Sequence, residues 1–348
     1  MSGSEADPTH VHLVGAIAID TVPEVFRTVG GILGPRLKRV PDGEPGGRRM
    51  WIAWQFPLLR ASPFLKPLPI DPNAVVALPK MALADGVTAE ELRFSELGYA
   101  REAFASYADF KAARAAGELP AGVRFQVSLP TPYAVISAFC DRADLATVEP
   151  AYERAMLREV ETICGFVPHE DLAIQWDICP EMVAWDGRAP WLGRAFDDME
   201  TELFGRIARI SAAVPEDVEL GFHLCYGDVD GKHFIDPVDA GKLVEFANNL
   251  AKWVRRPIAW IHMPVPIGRT DDDYYRPLAE LGLDPKTEVY LGCVHAEDGV
   301  AGTRQRIAAA RKYLPAFGIA TECGMGRSKR PETVMALLHI HAGATAEP

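Results

Sequence analysis

Short apolar runs that stop abruptly at polar residues recur along this chain, at 11–19, 37–41, 123–130, 173–179, 218–225, 257–264, 288–294 and 318–323. Their length and β-branched content predict strands. Between most of them the apolar positions recur at helical spacing, as in 149–164, 197–213, 237–254 and 300–314. A last helix is predicted over 331–342, where Pro331 and Glu332 make a good start. The region 52–118 is less regular, proline-rich over 57–72 and with a helix predicted over 89–116. Eight strands alternating with helices imply an α/β fold with a parallel sheet buried on both faces. The length fits a single (β/α)8 TIM barrel over 1–348, with 52–118 as a partly helical insertion between the second and third strands. A doubly wound open sheet is the rival. Its usual glycine-rich fingerprint is missing, because Gly15 is followed by Ala16-Ile17-Ala18-Ile19-Asp20.

The polar residues at the strand ends change the picture from a fold to a site. His10 and His12 flank the start of the first run, Asp42 and Glu44 follow the second, and Thr131 and Tyr133 follow the third. The later runs reach Asp177, then His223 with Cys225, then His262, then His295 with Glu297, and finally Glu322 with Cys323. A barrel collects its catalytic groups at this C-terminal mouth, each from a different strand. In an extended strand residues i and i+2 point the same way, so His223 and Cys225 can face one point. An imidazole and two thiolates, from His223, Cys225 and Cys323, form a natural zinc set, and His262 could add a fourth ligand. A single cysteine on a strand also fits plain core packing. Asp177 interrupts an apolar strand beside Trp176, where an unpaired carboxylate would be costly, and is therefore read as a site residue. The loop at 42–47 also fits a simple run of turn formers. Arg327, Lys329 and Arg330 could hold an anionic substrate tail or lie in a solvated loop. Trp51, Trp54, Tyr133, Trp176 and Tyr226 point to a partly flat or apolar substrate.

Composition narrows the partners. The chain has 348 residues, 48% of them hydrophobic and 24% charged, which is enough apolar surface to fold. A formal charge of −12 argues against nucleic acid or an anionic membrane as the main partner. No apolar run approaches the roughly 20 residues that span a bilayer. The first eight residues lack the basic-then-apolar order of a signal peptide, so a cytoplasmic location is expected. The six scattered cysteines are not expected to form a disulfide framework. Oligomeric state is not readable from the chain.

At these strand-end residues the sequence resembles the catalytic barrel of cobalamin-independent methionine synthase, within the uroporphyrinogen decarboxylase/methionine synthase superfamily. The resemblance is to a single-barrel, stand-alone homologue. In that family a His-x-Cys on one strand, a Glu on the next and a Cys before Gly near the C-terminus bind zinc. His223-Leu224-Cys225 and Cys323-Gly324 stand in the first and last of those places. The family's Gln-x-Asp strand, whose Asp touches an amino-acid substrate, looks like Gln175-Trp176-Asp177. Pro130-Thr131-Pro132 resembles its short proline-containing strand end, and Pro41-Asp42-Gly43-Glu44 with Arg48, Arg49 and Trp51 resembles the stand-alone branch. Two positions depart. The glutamate ligand's place reads Ile261-His262-Met263, and the family's Asp-Glu-Pro reads Asp177-Ile178-Cys179.

The resemblance implies a zinc enzyme that transfers a methyl or other alkyl group to a metal-activated thiol. His223, Cys225, His262 and Cys323 would be metal ligands, and His262 is either a substitute ligand or a bystander. Asp177 and Glu44 would orient the substrate, and His295 or Glu297 would protonate the leaving group. His12, Asp42, Thr131, Tyr133 and Trp176 are the expected substrate contacts. A second imidazole on the metal would leave the site neutral and favour oxygen-centred chemistry, so a zinc lyase or hydrolase is one alternative. A metal-free decarboxylase-like reaction through His12, Asp42 and Asp177 is another. A structural metal or a small-molecule binding protein is a third, less favoured because closed structural zinc sites usually draw ligands from near-adjacent loops.

Overall fold

A computed structural model describes residues 9–70, 78–189, 196–228, 232–327 and 329–345. Nine strands follow the chain: β1 Arg39–Pro41, β2 Leu65–Pro67, β3 Met81–Leu83, β4 Arg124–Pro130, β5 Leu172–Ile178, β6 Glu219–Leu224, β7 Trp260–Pro264, β8 Glu288–Val294 and β9 Gly318–Thr321. Seven of them form one sheet in the order β1-β4-β5-β6-β7-β8-β9, and every neighbouring pair is parallel. Each strand is laid beside the one before it, with helices in the connections, so all C-terminal ends open on one mouth. β2 and β3 pair separately, antiparallel, inside the segment between β1 and β4.

The expected eight-strand ladder is not present: the segment 11–19 forms isolated bridges instead of a strand. Val11 bridges both Leu37 and Ile319, and Ile17 bridges Met325, so the segment lies between the two edges of the curled sheet. Its carbonyls explain the irregularity. Those of Leu13 and Val14 accept hydrogen bonds from side chains pointing inward on β4 and β5, namely Gln126, Ser128 and Gln175. Backbone groups satisfied in this way need no ladder.

The helix predicted over 89–116 is shorter, Tyr99–Ala115. It starts where Glu159, from the helix Leu145–Phe166, accepts hydrogen bonds from the amides of Leu97 (2.7 Å) and Ala100 (2.6 Å). A buried carboxylate from another helix thus supplies the N-terminal cap that the local sequence lacks.

At the end of the sheet away from the mouth, Arg39 is 3% exposed and reaches Glu219 (2.5 Å) and Glu288 (2.8 Å) while lying over the Trp260 ring. The His12 ring packs at a tilt against Trp260 and Tyr290, with ring centroids 5.6 and 5.1 Å away. The interior is therefore filled below the mouth, and the space that remains lies at the strands' C-terminal ends. No helix among the described residues is long and apolar enough to cross a membrane.

Candidate metal centre

β6 delivers His223 inward and the next inward position beyond its end is Cys225. Cys323 follows β9 on the far side of the mouth. The two sulfurs stand 3.7 Å apart, and His223, Cys225 and Cys323 offer ligand atoms that all lie within 4.8 Å of one another. The Gly227 amide donates to the Cys225 sulfur (3.1 Å). Gly227 has φ +89°, and a Cβ there would come within 2.5 Å of the Phe234 ring, so glycine is needed to bring that amide in. The hydrogen bond to Cys179, then burial, keeps the Cys225 thiol well above its ordinary pKa. The bond to Cys225, then burial, does the same for Cys323. A cation is what would draw these protons off.

His262 is not beside the sulfurs as a fourth ligand; it backs His223. The two Nδ1 atoms are 2.7 Å apart, and His262 Nε2 is 3.0 Å from the Thr321 carbonyl. A carbonyl only accepts, so His262 carries its proton on Nε2 and its Nδ1 accepts from His223 Nδ1–H. Burial pushes His262 down to about 3, so it stays neutral. His223 Nε2 is left buried with no hydrogen-bond partner. Gly292 permits this approach, because a Cβ there would meet the Glu322 backbone at 2.8 Å and His262 Nε2 at 3.0 Å. A buried, unprotonated imidazole nitrogen without a partner, on a residue grouped with two thiols, fits a zinc ion in residue type and tautomer.

These ligands line a cavity of about 50 Å³ that also receives Glu44, Arg49, Trp51, Asp177, Cys179, Asp228 and Arg327. Asp177 accepts from Gln175 Nε2 (2.9 Å) and from Trp51 Nε1 (3.2 Å). Burial pushes its carboxyl up to about 7 against those two bonds and Arg327. Enclosure, followed by the facing Asp177 and Asp42, holds Glu44 well above the usual carboxylate range. Glu44 and Trp51 both have φ +51°, the only non-glycine residues with positive φ among those described. Both strained residues line this one cavity, a pattern typical of functional sites. The Arg327 guanidinium lies 5.9 Å from the Trp51 ring centre and closes the wall.

The structure brings Asp177 and Glu44 together with His223, Cys225 and Cys323 and leaves the other expected residues elsewhere. His12 is buried below the mouth, donating from Nε2 to Gln175 (2.8 Å). Asp42 is held by Arg48 (2.8 Å), Ser106 (2.6 Å) and the Glu44 amide (2.9 Å), and it lines a neighbouring pocket. Thr131 caps the helix Pro132–Phe139 and bonds Glu181. Tyr133 packs on that helix against Phe196. Trp176, fully buried, points to the helix-packed core because its neighbours Gln175 and Asp177 point inward. His295 and Glu297 line a second cavity, of about 120 Å³, on the other flank of Cys323. His295 donates from Nε2 to the Val265 carbonyl (2.9 Å), and burial pushes it down to about 4, so its Nδ1 carries no proton to give.

Sequence reasoning missed Cys179 and Arg49 and left Arg327 undecided. For Cys179 a signal existed: the strand predicted over 173–179 ends on it, two residues after Asp177. Arg49 and Arg327 come from loops, where no periodicity announces direction.

No protein-family model matches the sequence, and no curated protein matches it. Solved structures do. A putative vitamin-B12-independent methionine synthase from Listeria monocytogenes is 12% identical, with a TM-score of 0.59 over 98% of this chain and 99% of that one. A B12-independent methionine synthase from Shewanella sp. W3-18-1, in complex with selenomethionine, is 14% identical, with a TM-score of 0.60 over 97% of each chain. From end to end, the chain shares the fold of these methionine synthase structures.

Proposed function

We propose that this protein is a zinc enzyme that transfers a methyl or other alkyl group to a metal-bound thiol. The observation that carries the reading is the grouping of His223, Cys225 and Cys323, whose ligand atoms lie within 4.8 Å of one another, together with a buried His223 Nε2 that has no partner. His223, Cys225 and Cys323 would hold the ion, which, when bound, lowers the pKa of a coordinated thiol so that it reacts as thiolate. The likeness in fold to methionine synthase structures supports the choice of methyl transfer.

The chain's own residues supply the rest. His262 fixes the tautomer that leaves Nε2 of His223 as a lone pair. Asp177 presents carboxyl oxygens to substrate donor groups, oriented by Gln175 and Trp51. Burial and the facing carboxylates raise the Glu44 pKa, which suits it to act as the acid for a leaving group. Arg327 and Arg49 balance the thiolates and substrate anions at the cavity wall. Trp51 screens the site from water. The lyase alternative relied on a second imidazole at the metal, and His262, with both ring nitrogens engaged, gives it no support.

The test is a panel of thiols offered with sulfonium and N-methyl donors to zinc-loaded protein, with products read by mass spectrometry. Alkylated thiol is expected with the parent chain and not with Cys225→Ser. Turnover of a donor that proceeds equally without any thiol would overturn the reading.

A further inference from the structure

Three thiols line the cavity, and the proposed reaction uses two of them. Cys179 stands to β5 as Cys225 stands to β6. The register pairs Asp177 with His223 and Ile178 with Leu224, and the Cys225 amide donates to the Ile178 carbonyl (2.9 Å). Cys179 follows β5 directly, at the head of the helix Pro180–Asp186, and lines the same cavity as Cys225. Cys179 is 3% exposed and lies near enough to Cys225 to raise its thiol pKa. The positive charge of Arg327 acts on Cys323, Cys225 and Cys179 together.

We propose that Cys179 is the fourth ligand of the resting metal ion, completing a His223, Cys179, Cys225 and Cys323 set. The inference rests on the zinc reading above and adds a ligand to it. A tetrahedral ion held by three side chains keeps one position open. His262 has no free nitrogen, and Asp177 is oriented by Gln175 and Trp51. A third thiolate is the softer donor and matches the two already present. It would bring the ion and its ligands to a net charge of −1 (+2 − 3), with Arg327 as the countercharge. Cys179 is not among the three groups whose ligand atoms already converge, so loading draws it inward across the cavity it lines. The position it holds is the one a substrate thiol would take.

The test is zinc-edge X-ray absorption on the purified zinc protein and on Cys179→Ala and Cys179→Ser, supported by the sulfur-to-metal charge-transfer band after cobalt(II) substitution. The parent should give three sulfurs and one nitrogen. Both variants should keep the metal with two sulfurs and a light atom in the vacated place, and the cobalt band should weaken accordingly. Two sulfurs in the parent, unchanged in the variants, would overturn the role of Cys179 and leave the three-ligand zinc reading standing. A parent that takes up neither zinc nor cobalt would overturn both.

Discussion

The imidazole Nδ1 of His262 lies 2.7 Å from Nδ1 of His223, and the pair ends at the Thr321 carbonyl, 3.0 Å from His262 Nε2. One proton therefore sits between the rings and another between His262 and the backbone. Only His223 Nε2 is left to face the sulfurs. A partner that fixes a ligand's tautomer is worth roughly 10–100-fold in metal affinity. His262→Ala is thus expected to weaken zinc binding by about that factor while the number of nitrogen ligands seen by X-ray absorption stays at one. A parent spectrum with two nitrogens, falling to one in the variant, would make His262 a ligand instead.

Asp177 is oriented by Gln175 and Trp51 and lines the cavity beside His223, Cys225 and Cys323. Asp177→Asn should keep zinc content and melting temperature close to those of the parent. Turnover should fall at least tenfold, about 1.4 kcal/mol at the transition state. Full activity in this variant would confine Asp177 to a structural role.

Arg39 is buried with two carboxylates and a tryptophan ring, far from the mouth. Arg39→Met removes the buried cation shared by Glu219 and Glu288, while Arg124 and Lys38 still pair with them, so a loss of roughly 1.5–3 kcal/mol is expected from urea unfolding. Zinc content of the folded fraction should not change. A variant as stable as the parent would mean that water solvates those carboxylates.

His341 lies on the last helix and donates from Nδ1 to the Leu337 carbonyl (2.7 Å), with Nε2 unpartnered. Burial pushes it down to about 4. The unfolded chain then takes up a proton near pH 6.5 that the folded one refuses. Its contribution is fully present above pH 6.5 and is lost as pH falls towards 4. His341→Leu removes that sensitivity. The stability difference between variant and parent should move by about 2 kcal/mol in the variant's favour between pH 7 and pH 5. An unchanged difference would show that His341 is not held neutral.

The grouping of His223, Cys225 and Cys323 was legible in the sequence because strand periodicity dictates direction. His223 and Cys225 share a face, and Cys323 follows a run of strand type. Glu44 and Asp177 were legible as polar residues at strand ends. Trp176 was misplaced because its neighbours at 175 and 177, not itself, point inward. The irregular first segment was hidden because its partners are side chains of β4 and β5, more than a hundred residues away in sequence. His262 was visible as a metal-capable residue, but its role depends on where the Thr321 carbonyl lies, and no local pattern encodes that. The early end of the helix at Tyr99 was hidden for the same reason, since its cap is Glu159.

The central claim is a metal held by His223, Cys225 and Cys323, and metal stoichiometry tests it most directly. Protein purified without chelator should carry about one zinc per chain by elemental mass spectrometry. The Cys225→Ser, Cys323→Ser double variant should lose most of it while keeping a parent-like circular dichroism spectrum, because a barrel of this size does not depend on a metal to fold. Full zinc occupancy in the folded double variant, or a parent chain that takes up no zinc when it is supplied, would contradict the account.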